Sequence, residues 1–124
     1  MAIVDANIIL RYVLDDHAEL SAQAAEIIEN NVVTLLIEVA CEVVFVLQKV
    51  YQVERVKIRE ILSELIQEDL VSMDKPELFL KALDCYSQTK FDFVDSLLWA
   101  YQEFEQETVF TFDQKLKKYI EHKD

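Results

Sequence analysis

The sequence predicts an α/β fold with a short central parallel sheet flanked by helices. Short β-branched runs alternate with longer segments whose apolar residues recur at helical spacing, the pattern of a parallel sheet covered on both faces. The first and last of these runs, Ile3-Val4 and Thr108–Phe112, each stop on an aspartate, Asp5 and Asp113. Open α/β sheets bind ligands at the carboxyl ends of their strands, so these two acids stand where such a fold places charge.

Element by element, Ile3 to Asp5 reads as a buried strand and Asn7 to Val13 as a helix packed on it, followed by a polar link at Asp15-Asp16-His17. Leu20, Ala24, Ile27 and Ile28 give helical spacing from Ala18 to Asn30. Asn30-Asn31 is a natural stop, because Asn tolerates the left-handed conformation. Val32 to Ile37 reads as a second strand. Glu38 to Tyr51 is an almost wholly apolar helix expected near the centre, and Val53 to Asp69 is amphipathic. Leu70 to Met73 is a third short strand. Pro76 suits the first turn of a helix reaching Thr89. A helix from Phe93 to Phe104, a strand from Thr108 to Phe112 and a basic helix from Gln114 to His122 complete one expected domain spanning 1–124.

Composition narrows the function. The 124 residues are 52% hydrophobic, enough for one core, with no glycine and a single proline. Glycine-rich phosphate loops and dinucleotide fingerprints are therefore excluded. Twelve Lys and Arg stand against 24 Asp and Glu, a net charge of -12. Such a chain does not hold a nucleic-acid backbone by clustered basic charge; a phosphodiester substrate would need metal ions at the site, and the acidity favours a basic partner protein. Cys41 and Cys85 lie in apolar helical segments and read as small buried hydrophobes. No secretory leader or membrane span is evident, so a cytoplasmic protein is expected.

Four acids carry the chemistry: Asp5, Glu42, Asp95 and Asp113, each in apolar company that argues for burial. Glu42 shares a helix face with Val39 and Val46. Asp95 falls in a first helical turn beside Asp92 at i-3, where the helix dipole favours an anion. Taken singly, each reads first as a helix-capping or first-turn acid. Taken together, four acids at ~5 Å would repel by roughly 3 kcal/mol per pair at an effective dielectric near 20. A fold gathers them only with protons or cations. Oxygen donors without His or Cys favour Mg²⁺ or Mn²⁺ over zinc.

The order Val4-Asp5-Ala6-Asn7, Glu42 followed by Val43-Val44-Phe45-Val46-Leu47, Asp92-Phe93-Val94-Asp95 and Thr111-Phe112-Asp113 resembles the PIN domain family, and within it the VapC-type toxin ribonucleases of toxin–antitoxin pairs. The resemblance covers the whole chain and implies an α/β/α sandwich with metal-dependent endoribonuclease activity. It puts the family's acidic quartet on Asp5, Glu42, Asp95 and Asp113, as catalytic residues and as ligands of Mg²⁺ or Mn²⁺. Asn7, Asp92 and Thr111 take the supporting polar positions. Asp5, Asp95 and Asp113 would hold one or two ions, with Glu42 ligating or ordering the attacking water. An antitoxin with a basic or extended tail is implied as partner, beside the RNA substrate. Ala6 departs from the hydroxyl residue common there, and Glu105-Gln106-Glu107 replaces a glycine before the last strand.

Other candidates read plainly. His17 and His122 are surface residues without metal-spaced partners. Ser96 lacks a glycine elbow and a suitable His. Asp15-Asp16 solvates a loop that could border the cleft. Arg11 reads as a salt-bridge partner before an RNA contact, and Lys115, Lys117, Lys118 and Lys123 as charge near a helix C-terminus, with RNA contact second. Trp99, Tyr101 and Phe104 follow core spacing. Surplus apolar surface at Tyr12, Phe45 and Tyr51 would suit a homodimer or an antitoxin groove. Three alternatives stand beside the toxin reading: a PIN nuclease of RNA processing, a non-catalytic acidic docking module, and a phosphotransfer receiver. The last gives Glu42 and Asp95 no role.

Overall fold

A computed structural model describes residues 2–121; His122 and Lys123 lie outside them. The elements run β1 (Ala2–Ile3), α1 (Ala6–Leu14), α2 (Ala18–Asn30), β2 (Val33–Thr34), α3 (Ile37–Lys49), α4 (Arg55–Gln67), α5 (Pro76–Gln88), α6 (Phe93–Glu105) and α7 (Gln114–Glu121). The fold is mostly helical with a small two-stranded parallel sheet, consistent with the α/β class. The chain divides after Pro76 into two compact units. No described helix is long and apolar enough to cross a membrane.

In the first unit β1 pairs in parallel with β2, Ala2 opposite Val33 and Ile3 opposite Thr34. The expected third strand is reduced to an isolated parallel bridge from Thr34 to Ser72, held by Ser72 N–H to the Val33 carbonyl at 2.8 Å and Leu35 N–H to the Ser72 carbonyl at 2.9 Å. The expected strand from Val32 to Ile37 is likewise shorter, because Ile37 already opens α3. Helix α1 packs on α2 and α3, and α4 on α3.

Helix α2 spans the predicted residues, opened by His17, whose Nδ1 accepts the Leu20 N–H at 3.1 Å. Its end differs in mechanism from the prediction. Asn31 is extended, at φ -138°, rather than left-handed. The Asn30 and Asn31 side-chain amides instead donate to the carbonyls of Glu26 and Ile27, at 3.0 and 2.9 Å.

Helix α3 corrects a larger expectation. Ala40, Val43, Val44 and Leu47 are fully buried, whereas Glu42 and Phe45 are exposed. A helix turns ~100° per residue, so the stripe at 40, 43, 44 and 47 leaves 42 and 45 on the opposite face. Val39 and Val46, which share a side with Glu42, are only half-buried.

The second unit is built on aromatic edges. Phe93 stands T-shaped against Phe79 and Tyr86, ring centroids 5.6 and 5.8 Å apart. Helix α7 packs on α6: Leu116 is fully buried, and Tyr119 lies 5.3 Å from Phe91 and 5.9 Å from Trp99. Trp99 and Tyr101 are half-buried, and Phe104 is exposed rather than core, edge-on to Trp99 at 5.6 Å. Cys85 is buried and Cys41 half-buried, and the two form no disulfide. The predicted strand from Thr108 to Phe112 is absent among the described residues. Its backbone bonds locally instead, Val109 N–H donating to Gln102 Oε1 at 3.2 Å.

Without glycine, the left-handed positions fall to Asp15, Gln52, Asp69 and Gln106, at φ 48°, 55°, 57° and 58°. Asp tolerates this conformation through local hydrogen bonds; for other residues it costs about 1–2 kcal/mol. Gln106 terminates α6 there, its N–H donating to the Tyr101 carbonyl. Gln106→Gly is expected to stabilise the protein by about 0.5–1 kcal/mol in urea unfolding, and Gln106→Val to destabilise it.

Candidate metal centre

Three of the candidate acids begin or hold helices. Asp5 is the N-cap of α1, its Oδ1 accepting the Ile8 N–H at 3.1 Å. Asp92 caps α6, its Oδ1 accepting the Asp95 N–H at 2.8 Å, while its carbonyl accepts the Ser96 hydroxyl at 3.0 Å. Asp113 precedes α7, its Oδ1 accepting the Leu116 N–H at 2.9 Å. Thr111 orders that turn, its Oγ1 accepting the Asp113 N–H at 3.0 Å. Asp5 and Asp113 each accept the helix N–H through one carboxylate oxygen, Oδ1.

Their burial differs from the sequence expectation. Asp5, Glu42, Asp92 and Asp113 are exposed, and only Asp95 is half-buried. Strand-end and first-turn acids sit where chain reversals meet water, and Glu42 faces away from the stripe of α3. Asn7 is exposed in the first turn of α1.

In the first unit, Asp5 and Glu42 belong to helices α1 and α3, which pack on each other. In the second unit, Asp92, Asp95 and Asp113 act on one another. Partial burial holds the Asp95 carboxyl above its usual range, aided by the charges of Asp92 and Asp113 and a hydrogen bond shared with Asp92. Ion pairs join Arg11 to Asp16 at 2.8 Å and Lys57 to Glu60 at 3.8 Å. Arg11 is the salt-bridge partner its sequence context predicted, and it also donates to the Tyr51 hydroxyl at 2.8 Å.

Among the described residues no three His, Cys, Asp or Glu side chains stand close enough to hold a metal ion between them. The donor chemistry nonetheless fits a hard cation. Mg²⁺ keeps several waters and needs only one or two carboxylates, and Asp95 carries like-charge repulsion that a cation would relieve.

Phe110 and Phe112 fall within the predicted strand, but in the structure they stand outside any strand. They are 93% and 99% exposed. An aromatic at every second position beside a helix-capping acid was the available signal, and alternation of that kind reads first as a strand.

Two measurements separate capping from charge. Asp5→Ala should lose about 1 kcal/mol in urea unfolding, whereas Asp5→Asn keeps the cap and the stability. Asp95 binds its proton more tightly folded than unfolded, so its contribution to stability is present at acid pH and is lost as pH rises through its raised folded value. Asp95→Asn is therefore expected to raise the melting temperature by roughly 1–3 °C at neutral pH. The gain should vanish below the ordinary carboxylate range, at about pH 4.

Residues 2–121 match the family model of the PIN domain. No curated protein and no solved structure matches the chain. The family match spans both compact units and every candidate acid, and on that ground the chain belongs to the PIN domain family.

Proposed function

We propose that this chain is a Mg²⁺- or Mn²⁺-dependent endoribonuclease and the toxin of a VapC-like toxin–antitoxin pair, working as one PIN domain with the family's α/β/α architecture. PIN domains are generally metal-dependent nucleases, which supports the reaction class. The observation that carries the reading within this chain is Asp95, half-buried and beside the charges of Asp92 and Asp113, so that burial first and like charge second lift its carboxyl.

Asp5, Asp95 and Asp113 would hold the metal, with Glu42 ligating or ordering the attacking water. A bound divalent ion supplies the positive charge that offsets the phosphate and lowers the pKa of water for attack. The other residues hold these donors in place. Thr111 and the α7 N-terminus fix Asp113, the α1 N-terminus fixes Asp5, and Asp92 fixes the backbone of Asp95. Asn7 stands two residues beyond Asp5, in the first turn of α1. At a net charge of -12, a bound ion would offset the repulsion between these carboxylates and an RNA phosphate.

The same acidity supports an antitoxin with a basic tail as partner, in the cytoplasm. Phe45, 60% exposed on the outer face of α3, supports a homodimer or antitoxin contact.

Purified protein is expected to cut single-stranded RNA with Mg²⁺ or Mn²⁺ and to stop on addition of EDTA. Asp95→Asn and Asp113→Asn should each slow cleavage by roughly 10–100-fold while far-UV circular dichroism stays unchanged. Cleavage indifferent to EDTA and to both substitutions would sink the reading. Calorimetric Mn²⁺ binding lost in Asp113→Ala excludes a purely docking role. Growth arrest on expression, relieved by a neighbouring antitoxin frame, separates a toxin from an RNA-processing nuclease.

A further inference from the structure

Phe110 and Phe112 are the most exposed large apolar side chains described, at 93% and 99%. A chain gains nothing for its own core by presenting two rings to water. Both rings line one groove of about 620 Å³, with Lys117, Gln102, Gln114 and Glu121. That size lies within the ~300–1,000 Å³ of sites that enclose a small organic group.

The groove's polar groups are partly committed and partly free. Gln102 Oε1 accepts the Val109 N–H at 3.2 Å, which leaves its amide protons available. Gln114 Nε2 donates to the Phe112 carbonyl at 3.4 Å, which leaves its Oε1 as an acceptor. Lys117 is exposed on α7 between Lys115 and Lys118. Of the three lysines on this short helix, Lys117 lines the groove with the two most exposed rings. Glu121, the acid in the lining, can accept from a hydroxyl or an exocyclic amine. Asp113 follows Phe112 directly.

We propose that this groove is a base-stacking platform for single-stranded RNA, in which Phe110 and Phe112 take unpaired bases and Lys117 takes a neighbouring phosphate. Aromatic faces stack any base, and lysine tracks the backbone. Charge favours this occupant: Lys117 attracts a phosphate and disfavours a basic peptide. The platform rests on the nuclease reading for its purpose, since it delivers the strand beside Asp113. Phe110 and Phe112 are positioning residues.

The test is fluorescence anisotropy with a short unstructured labelled RNA and Mg²⁺, in an Asp95→Asn background that keeps the RNA intact. Phe110→Ala and Phe112→Ala should each weaken binding about tenfold. Tyr at either position should restore it, and Leu should not. Lys117→Gln should reduce the slope of log affinity against log salt by about 0.7. In the wild-type background the ring variants should raise KM for RNA and leave kcat within about twofold. Both rings are exposed, so melting temperatures should not move. Affinity unchanged in the double alanine variant overturns the platform, as does full rescue by Leu. It is equally overturned if the ring variants bind RNA normally but lose self-association in light scattering, or lose capture of a basic peptide. Ring-dependent binding without metal-dependent cleavage would refute the nuclease reading and leave the platform standing. Cleavage without ring dependence would do the reverse.

Discussion

Carboxylates at helix N-termini are the interaction on which the arrangement of this protein turns. The first N–H groups of a helix have no partner within it, and α1, α6 and α7 each take an aspartate oxygen to satisfy one. Each such bond stabilises its helix by about 1 kcal/mol, and the helix dipole adds a further ~0.3–1 kcal/mol for a nearby anion. These terms let acids collect where like charge would otherwise drive them apart. The offset is incomplete at Asp95, which lies half-buried between the charges of Asp92 and Asp113 and holds its proton more tightly in consequence.

Capping and ligation are compatible because they use different oxygens. A carboxylate has about four acceptor sites; the hydrogen bond to the helix fixes Oδ1 and with it the direction of Oδ2. Asparagine caps as well as aspartate but carries no charge, so the two roles separate in a single substitution.

The absence of glycine shapes the connections. Asp15 and Asp69 occupy left-handed turns that their side chains tolerate, whereas Gln52 and Gln106 hold the same conformation against their steric preference. Gln106 stands where the family resemblance led one to expect a glycine, and the turn is kept without it. The segment beyond it forms no ladder, and the aromatic side chains it carries stand in water instead of in a sheet.

Helices were legible because their signals are local. Apolar spacing, a proline in a first turn and an acid three residues before an amide all act within one or two turns, so Ala18–Asn30 emerged with its observed bounds. The acids of the candidate site were legible for the same reason, since each stands at a helix start or on a helix of plain periodicity. Strands depend on partners distant in sequence. Val32–Ile37 and Leu70–Met73 shortened to one ladder and one bridge, and Thr108–Phe112 became an irregular segment. Only the tertiary structure decided that Glu42 faces outward, that Asp95 lies among other acids, and that Phe110 and Phe112 are exposed. Each of these outcomes depends on what packs beside a residue, and its own neighbours in sequence do not carry that information.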